Sequence, residues 1–198
     1  MWKTIIGLVG GAIVIAVIVV ISRGQSSTEL AEGRSPACSK AANGVIGFDP
    51  MIPPKPFTTT EFIAGEATPR TIAHYQGQGV VLNFWATWCA PCVREMPSLL
   101  RLKAKIAKLG IQVVPISEDL KGAPVVSKFY AKHKLSDFEI LVDKGGKILR
   151  TTGARGLPTT LLIDGAGREV GRVTGPLEWD QPPAVALVRA CLGKKAAS

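Results

Sequence analysis

The sequence has few of the residues that proteins use to hold metal ions. It contains four cysteines and two histidines in 198 residues, and only Cys89 and Cys92 are closely spaced. A structural zinc site would need two further ligands at a suitable spacing. The remaining candidates are far apart along the chain: Cys38, His74, His133 and Cys191. We therefore expect no metal site, and we interpret both histidines as surface or loop residues.

The chain also lacks internal repeats and any aromatic-rich basic stretch. Its net charge is +9, which could favour nucleic acid or an anionic membrane surface. Several of the basic residues, however, alternate with leucine and isoleucine in the segment 94–109, as on the solvated side of an amphipathic helix. We therefore do not expect the protein to bind nucleic acid.

Charged residues are absent from the stretch Thr4–Ser22. A helix of this length would be roughly 28 Å long, close to the thickness of the hydrocarbon core of a bilayer. A cleavable signal peptide is the alternative, but its apolar region is usually shorter and ends at a site of small residues. Residues 20–23 offer no such site. We therefore predict an uncleaved transmembrane anchor over residues 1–22.

The predicted orientation in the membrane rests on the cysteine content more than on the charges that flank the apolar stretch. Lys3 precedes the apolar stretch and Arg23 follows it, so the charge bias is weak. Four cysteines in a small domain are typical of an oxidising compartment. We therefore predict a single-pass protein of a bacterial inner membrane, with a cytoplasmic N-terminus and a periplasmic domain.

Beyond the anchor we predict a linker and N-terminal extension over 23–53, a folded domain over 54–193 and a tail over 194–198. Strand and helix signals alternate in the domain, which predicts an α/β fold with a mixed sheet flanked by helices. The predicted helices are Pro36–Ala42, Arg94–Leu109, Pro124–Lys132, Lys147–Thr152 and Gln181–Leu192. The predicted strands are Phe57–Phe62, Val80–Trp85, Val113–Ser117, Thr159–Ile163 and Arg168–Thr174. With four prolines, Pro50–Pro56 is expected to run extended.

The two closely spaced cysteines form the motif C-A-P-C between a predicted strand and a predicted helix. Backbone N–H groups at a helix N-terminus are unpaired and carry partial positive charge, so they stabilise a thiolate. We expect Cys89 to be the more exposed and more acidic thiol, and Cys92 to face inward as the resolving partner. Trp88 is expected to form a partly exposed wall of the site, and Trp85 to belong to the core. The motif predicts a dithiol/disulfide site that reacts by thiol–disulfide exchange.

The segment Asn83–Pro97, N-F-W-A-T-W-C-A-P-C-V-R-E-M-P, resembles thioredoxin-fold proteins. In particular it is similar to the membrane-anchored TlpA-type thiol:disulfide oxidoreductases, which are related to the cytochrome c maturation thioredoxins. The similarity covers Pro54–Leu192, and Gly175–Trp179 also looks like TlpA-type sequences. It implies a thioredoxin fold with a central insertion over 120–143.

This resemblance implies roles for further residues. A cis peptide bond is expected before Pro158, which would face the redox cysteines and expose the Leu157 backbone to a substrate peptide. Together with Trp88 and Pro91, these two residues form the expected substrate-binding site. No cofactor is expected.

Glu95 follows Cys92 by three residues, so the two side chains share a helix face. Glu95 is either a surface carboxylate favoured by the helix dipole or a partly buried acid that exchanges a proton with Cys92 as a catalytic residue. TlpA-type proteins carry an acidic residue at this position. Asn83 departs from ordinary thioredoxins, which have a buried aspartate there. A proton relay would therefore have to pass through Glu95 or water, or be absent.

Cys38 and Cys191 lie outside the motif. In an oxidising compartment two such cysteines are more often paired than free, and a bond would link the N-terminal extension to the last helix. Two unrelated thiols are the alternative, and the sequence does not decide between them. A structural disulfide beside the redox pair also occurs in some TlpA-type proteins.

The motif and the resemblance predict a thiol:disulfide oxidoreductase that acts as a reductant outside the cytoplasm. The resemblance implies that its substrates are the cysteine pairs of apocytochrome c or of copper-site assembly proteins. A membrane-embedded thiol electron donor would restore the dithiol. Two alternatives remain: a disulfide-forming oxidase of the same fold, and a copper-binding oxidase-assembly factor that uses the two cysteines as soft ligands.

Overall fold

The structure is a computed structural model that describes residues 36–193. In this part of the chain, eight strands form one sheet, and helices pack on both of its faces. The helices are α1 (Pro36–Ala42), α2 (Ala90–Ile106), α3 (Ala123–His133), α4 (Lys147–Thr151) and α5 (Pro182–Leu192). The strands are β1 (Phe48–Pro56), β2 (Phe62–Ala64), β3 (Thr68–Arg70), β4 (Gly79–Trp85), β5 (Ile111–Ser117), β6 (Leu141–Val142), β7 (Thr159–Ile163) and β8 (Arg168–Thr174). Short 3-10 helices occur at Ile72–Tyr75 and Ala107–Leu109.

The strand order across the sheet is β1-β8-β7-β4-β5-β6-β2-β3. β4 pairs in parallel with β5, and β5 with β6, whereas the other neighbours are antiparallel. This is the predicted mixed sheet, and the predicted central insertion contains α3 and β6. Every residue of the central strand β4 is buried, because helices cover both faces of the sheet there.

Alternate side chains of β4 enter two different cores. Val80, Leu82 and Phe84 pack in one core with α4 and the first 3-10 helix. Val81 and Trp85 pack in the other core with α2, α3 and α5. Because side chains alternate along a strand, Asn83 lies on the second face, towards α2.

The proline-rich segment forms β1, a strand at the edge of the sheet. The prediction of a strand over Phe57–Phe62, directly after it, is wrong. β1 pairs with β8 over Phe48–Pro50 and again over Lys55–Pro56, and the register shifts between these two stretches. The Ile52–Pro53 bond, which lies between them, is cis. Prolines fit here because an edge strand uses its N–H groups on one side only. Residues 57–61 are not a strand, and β2 begins only at Phe62. In that segment the Thr60 N–H donates to the Thr58 hydroxyl at 3.0 Å, which takes up a donor that a ladder would need.

Helix α2 begins one turn earlier than the predicted Arg94. Its first residue is Ala90, and Pro91 occupies the first turn, where a missing N–H has no cost. The remaining predicted helices agree with the structure to within about two residues at each end. Pro97 lies inside α2, as predicted.

A disulfide between Cys38 and Cys191 ties α1 to α5. The two Cα atoms are 4.6 Å apart, and 153 positions separate the cysteines along the sequence. Cys38 is only 2 % exposed. The pairing that the sequence left open is therefore present in the structure.

Within residues 36–193, the helices are too short or too polar to cross a membrane. The predicted anchor over 1–22 and the predicted tail over 194–198 lie outside the described residues, as does the first part of the predicted linker.

Candidate active site

The C-A-P-C motif lies at the N-terminus of α2, a few residues beyond the end of β4. Cys89 is the N-cap residue, with extended backbone angles of −88° and 97°, and its Sγ accepts a hydrogen bond from the Cys92 N–H at 3.4 Å. A disulfide joins the two cysteines, whose Cα atoms are 5.3 Å apart. Cys89 is 6 % exposed and Cys92 is 0 % exposed. Cys89 is thus the more accessible sulfur, although both are largely buried in this oxidised form.

Asp119 fixes the loop that carries the motif. Its carboxylate accepts hydrogen bonds from the Thr87 N–H at 2.9 Å, the Thr87 hydroxyl at 2.7 Å and the Ser117 hydroxyl at 2.7 Å. Thr87 is two residues before Cys89, so Asp119 positions the approach to the reactive sulfur. Sequence reasoning missed this residue. Its signal in the sequence is its place two residues after β5, whose last residue, Ser117, pairs with the last residue of β4.

Pro158 follows a cis peptide bond with Leu157. It immediately precedes β7, and the antiparallel pairing of β7 with β4 aligns Thr159 with Phe84. The start of β7 therefore lies beside the end of β4, where the loop to Cys89 begins. Pro158 is buried and Leu157 is half-buried, so Leu157 presents the accessible part of this turn.

A groove of about 690 Å³ opens beside Cys89. We call it the Cys89 groove, and its lining residues are Trp88, Cys89, Ala90, Pro91, Glu118, Leu120, Gly145, Gly146, Leu149, Gly156 and Leu157. Three of the four predicted substrate-binding residues line it, and the exception is Pro158. Trp88 and Leu120 are each 69 % exposed, so two large apolar side chains face solvent at the groove. Sequence reasoning missed Glu118 and Leu120.

Glu95 is buried beneath the motif, which rules out the surface-carboxylate alternative. It is 2 % exposed and lies one helical turn from Cys92. Its Oε1 accepts from Asn83 Nδ2 at 2.7 Å. Its Oε2 accepts from the Leu177 N–H at 3.1 Å and from Trp179 Nε1 at 3.4 Å. Asn83 thus occupies the face of β4 on which it can hold the Glu95 carboxyl.

Burial raises the pKa of Glu95 from its ordinary value of 4.5 to about 7. The hydrogen bonds from Leu177, Asn83 and Trp179 oppose this rise because they stabilise the charged form. The net effect is a carboxyl that both binds and releases a proton near neutral pH. Such a group is suited to general acid–base chemistry beside a thiol.

The segment Gly175–Asp180 is fastened along α2. Ser98 Oγ donates to the Glu95 carbonyl at 2.8 Å and accepts from the Trp179 N–H at 3.0 Å. Arg101 Nε forms an ion pair with Asp180 at 2.7 Å. The sequence marks only Gly175–Trp179, by its similarity to TlpA-type proteins, and the contact of this segment with Glu95 could not be derived from spacing.

The remaining predicted residues do not join the site. Trp85 is fully buried and stacks on Tyr130 of α3 with ring centroids 5.5 Å apart, as its core assignment predicted. His74 and His133 are both exposed. Across residues 36–193, no group of three or more His, Cys, Asp or Glu side chains could hold a metal ion.

A buried parallel strand, two cysteines at a helix tip and a cis-proline beside them define a thioredoxin-like dithiol/disulfide protein. The sequence profile of the AhpC/TSA family matches residues 54–168, and the chain belongs to this family. Among its relatives are proteins described as thiol-disulfide oxidoreductase ResA. The protein from Bacillus thuringiensis subsp. konkukian is 37 % identical over 101 residues, which are 51 % of this chain and 57 % of the relative. That from Geobacillus thermodenitrificans is 36 % identical over 124 residues, or 61 % and 69 % of the two chains.

Solved structures give the same assignment of the fold. StoA from Bacillus subtilis is 25 % identical, with a TM-score of 0.52 over 62 % of this chain and 92 % of StoA. The pneumococcal exposed lipoprotein thioredoxin of Streptococcus pneumoniae is 29 % identical, with a TM-score of 0.53 over 62 % and 93 %. The chain spans 57 % of the length of the first ResA relatives that it matches.

Proposed function

We propose that the protein is a thiol:disulfide oxidoreductase that reduces protein disulfides through Cys89 and Cys92. One observation carries the proposal: the Cys89–Cys92 disulfide caps a helix N-terminus at a groove that Leu157, next to cis-Pro158, also lines. Peptide N–H groups at this helix end stabilise a thiolate on the first cysteine. The relatives described as thiol-disulfide oxidoreductases support the same chemistry.

The reaction proceeds in two exchanges that together move two electrons and two protons. The Cys89 thiolate attacks one sulfur of the substrate disulfide, which forms a mixed disulfide and releases the other substrate sulfur as a thiolate. The Cys92 thiolate then attacks the Cys89 sulfur, forms the Cys89–Cys92 disulfide and releases the second substrate thiol. A dithiol donor reverses the oxidation of the protein by the same chemistry.

Glu95 supports the second exchange. Cys92 has no solvent exposure, so its thiol needs a nearby acceptor for its proton before it can attack. Glu95 lies one turn along α2 with both oxygens held in place, and it accepts that proton and returns it in the reverse direction. Asn83 orients the carboxyl for this role.

We further propose the location and the partners. Residues 1–22 anchor the chain in the inner membrane, 23–53 form a linker, and 54–193 form the redox domain on the periplasmic side. Its substrates are the cysteine pairs of apocytochrome c or of copper-site assembly proteins, and a membrane-embedded thiol donor keeps the dithiol reduced. The Cys38–Cys191 disulfide supports this placement, because disulfides persist in oxidising compartments.

Capture of the mixed disulfide in cells tests this proposal. Cys92→Ser removes the resolving thiol, so substrates should accumulate as disulfide-linked adducts that mass spectrometry identifies after alkylation. Cys89→Ser is the matched control and should trap none of them. If Cys92→Ser and Cys89→Ser trap the same proteins, Cys89 is not the attacking thiol.

The reduction potential of the Cys89–Cys92 pair determines the direction of electron flow. A value near that of thioredoxin, about −270 mV, supports a reductant, and a value near about −120 mV supports an oxidase.

A further inference from the structure

Glu118 is the buried acid that the exchange mechanism leaves unused. Six acidic residues are buried in the described part of the chain: Glu95, Glu118, Asp119, Asp143, Glu169 and Asp180. Each of the other five is hydrogen-bonded or ion-paired through its carboxyl group. Glu118 Oε1 is buried and has no hydrogen-bond partner among the described residues. A buried polar atom without a partner costs about 1–3 kcal/mol, and a ligand that reaches this carboxyl would offset that cost.

None of the described groups around Glu118 forms a hydrogen bond with its Oε1. Asp119 and Asp143 are acids, and both are occupied: Asp119 holds Thr87, and Asp143 accepts from the first N–H groups of α4 at 2.7–3.1 Å. The Arg150 guanidinium donates instead to the Gly145 carbonyl. Two acids and one cation, Arg150, thus surround Glu118, and Oε1 is the carboxyl oxygen of this group that has no hydrogen-bond partner in the described part of the chain.

The space in front of Glu118 belongs to the Cys89 groove. Glu118 lines the groove together with Cys89 and Leu120. Gly146, with a φ of +67°, lies on the same wall, and a Cβ there would stand 3.0 Å from Glu118 Oε2. Glycine at this position therefore leaves space on the groove side of Oε2. Trp88 and Leu120 provide apolar surface at the groove, each 69 % exposed.

We propose that Glu118 makes the Cys89 groove selective for substrates that carry a lysine or arginine beside the disulfide, and that its carboxylate pairs with that cation. This inference rests on the proposed function, since it requires protein disulfides to enter the groove. A long basic side chain fits both kinds of surface: its aliphatic stem packs on Trp88 and Leu120, and its charged head reaches the carboxylate. A shorter or neutral side chain would leave Glu118 without a partner.

The pairing gives the selectivity a characteristic pH dependence. Burial, together with the negative charges of Asp143 and Asp119, raises the pKa of Glu118 to about 8, and the Arg150 guanidinium limits this rise. Cys89, at the tip of α2, is the remaining titratable group on the groove wall. In the empty groove Glu118 is protonated at neutral pH, so a bound cation must displace that proton. The preference for a basic substrate therefore increases as pH rises through about 8.

Two disulfide peptides that differ by one charge test the inference. Each contains one intramolecular disulfide, preceded either by arginine or by citrulline, which has nearly the same shape without the charge. The full-length chain is reduced, mixed with each peptide, and its oxidation is followed by alkylation and mass spectrometry. We expect about a tenfold faster reaction with the arginine peptide at about pH 9 and nearly equal rates with the two peptides at about pH 6. Effects of pH on the thiols cancel in this ratio.

Glu118→Gln should bring the ratio to about one at both pH values, and Glu118→Asp, which keeps the charge, should retain a preference for arginine. Glu66→Gln is the control for loss of one negative charge, because Glu66 is exposed and does not line the groove. At the higher pH, a ratio in Glu118→Gln equal to that of the wild type overturns the inference. So does equal reduction of both peptides by the wild type at that pH. If the wild type reduces neither peptide, the proposed function itself fails.

Discussion

Glu95 is a buried carboxyl with hydrogen bonds on both oxygens. These two properties act in opposite directions on its proton affinity, because burial disfavours the charge and the bonds favour it. Burial prevails, and the pKa rises to about 7. Asn83 contributes one of the opposing bonds, so the residue that replaces the aspartate of ordinary thioredoxins helps to tune the acid that remains.

The raised pKa of Glu95 predicts a pH-dependent contribution to stability. In the unfolded chain the carboxyl titrates near its ordinary value of 4.5, whereas in the fold it titrates near 7. The folded state therefore holds the extra proton between these values, and its free energy of unfolding falls as pH rises from about 4.5 to about 7. The loss is about 3 kcal/mol above that window and zero below it.

Urea unfolding of the oxidised wild type and of Glu95→Gln across this pH range measures that contribution. Glutamine does not titrate, so the variant should gain about 3 kcal/mol relative to the wild type between about pH 4.5 and 7. Glu66→Gln, which removes an exposed carboxyl, is measured alongside as the control for loss of one negative charge. Parallel curves for the wild type and Glu95→Gln would contradict the assigned burial of the charge.

At the scale of elements, the disulfide between α1 and α5 closes by far the longer of the two disulfide loops. Cys38 and Cys191 are 153 positions apart, whereas Cys89 and Cys92 are 3 apart. In the chain-entropy account a cross-link stabilises the fold by restricting the unfolded chain, and the effect grows with loop length. Neither Cys38 nor Cys191 lines the Cys89 groove. This bond therefore stabilises the domain without taking part in exchange.

The double variant Cys38→Ala/Cys191→Ala should lower the free energy of unfolding by about 3–5 kcal/mol. Its rate of exchange with a disulfide peptide should stay within about twofold of the wild type. Cys89→Ala/Cys92→Ala is the matched control, and it should lose less stability because its loop is short. Denaturant unfolding of the oxidised proteins measures both. Equal losses in the two variants would refute the loop-length argument.

Elements with strong local signals could be predicted from the sequence, and elements set by distant contacts could not. β4 follows from an apolar run that Asn83 alone interrupts, and α2 from an amphipathic repeat. β1 carries four prolines, and only its place at the sheet edge beside β8 makes it a strand. The threonines of residues 57–61 favoured a strand by propensity, but local hydrogen bonding prevailed.

At the scale of the whole molecule, the sheet topology assembles the site from four separate segments. β4 and β5 are parallel, so the loop to Cys89 and the residues after Ser117 meet at one edge. The turn before α4 and the residues just before antiparallel β7, Gly156 and Leu157, line the same groove. In open α/β sheets, ligands commonly bind beyond the carboxyl ends of the parallel strands, which is where this groove lies.

The same topology explains which site residues could be predicted. The two cysteines and Glu95 belong to one helix, so their spacing alone relates them. Glu118 and the Leu177 N–H become neighbours of the site only through strand pairing and packing. The spacing of residues along the sequence does not indicate which distant residues are in contact. A single sequence offers no other signal for such contacts.

The most direct test of the central claim is the position of the first covalent bond formed with a disulfide substrate. Full-length Cys92→Ser protein, in which Cys89 is a thiol because it has lost its disulfide partner, is mixed with a disulfide peptide, quenched with an alkylating agent, digested and analysed by mass spectrometry. The account predicts one peptide bound through a disulfide to Cys89, with the Cys38–Cys191 disulfide intact. No adduct on Cys89, or an adduct carried equally by Cys92 in the matched Cys89→Ser protein, would contradict it.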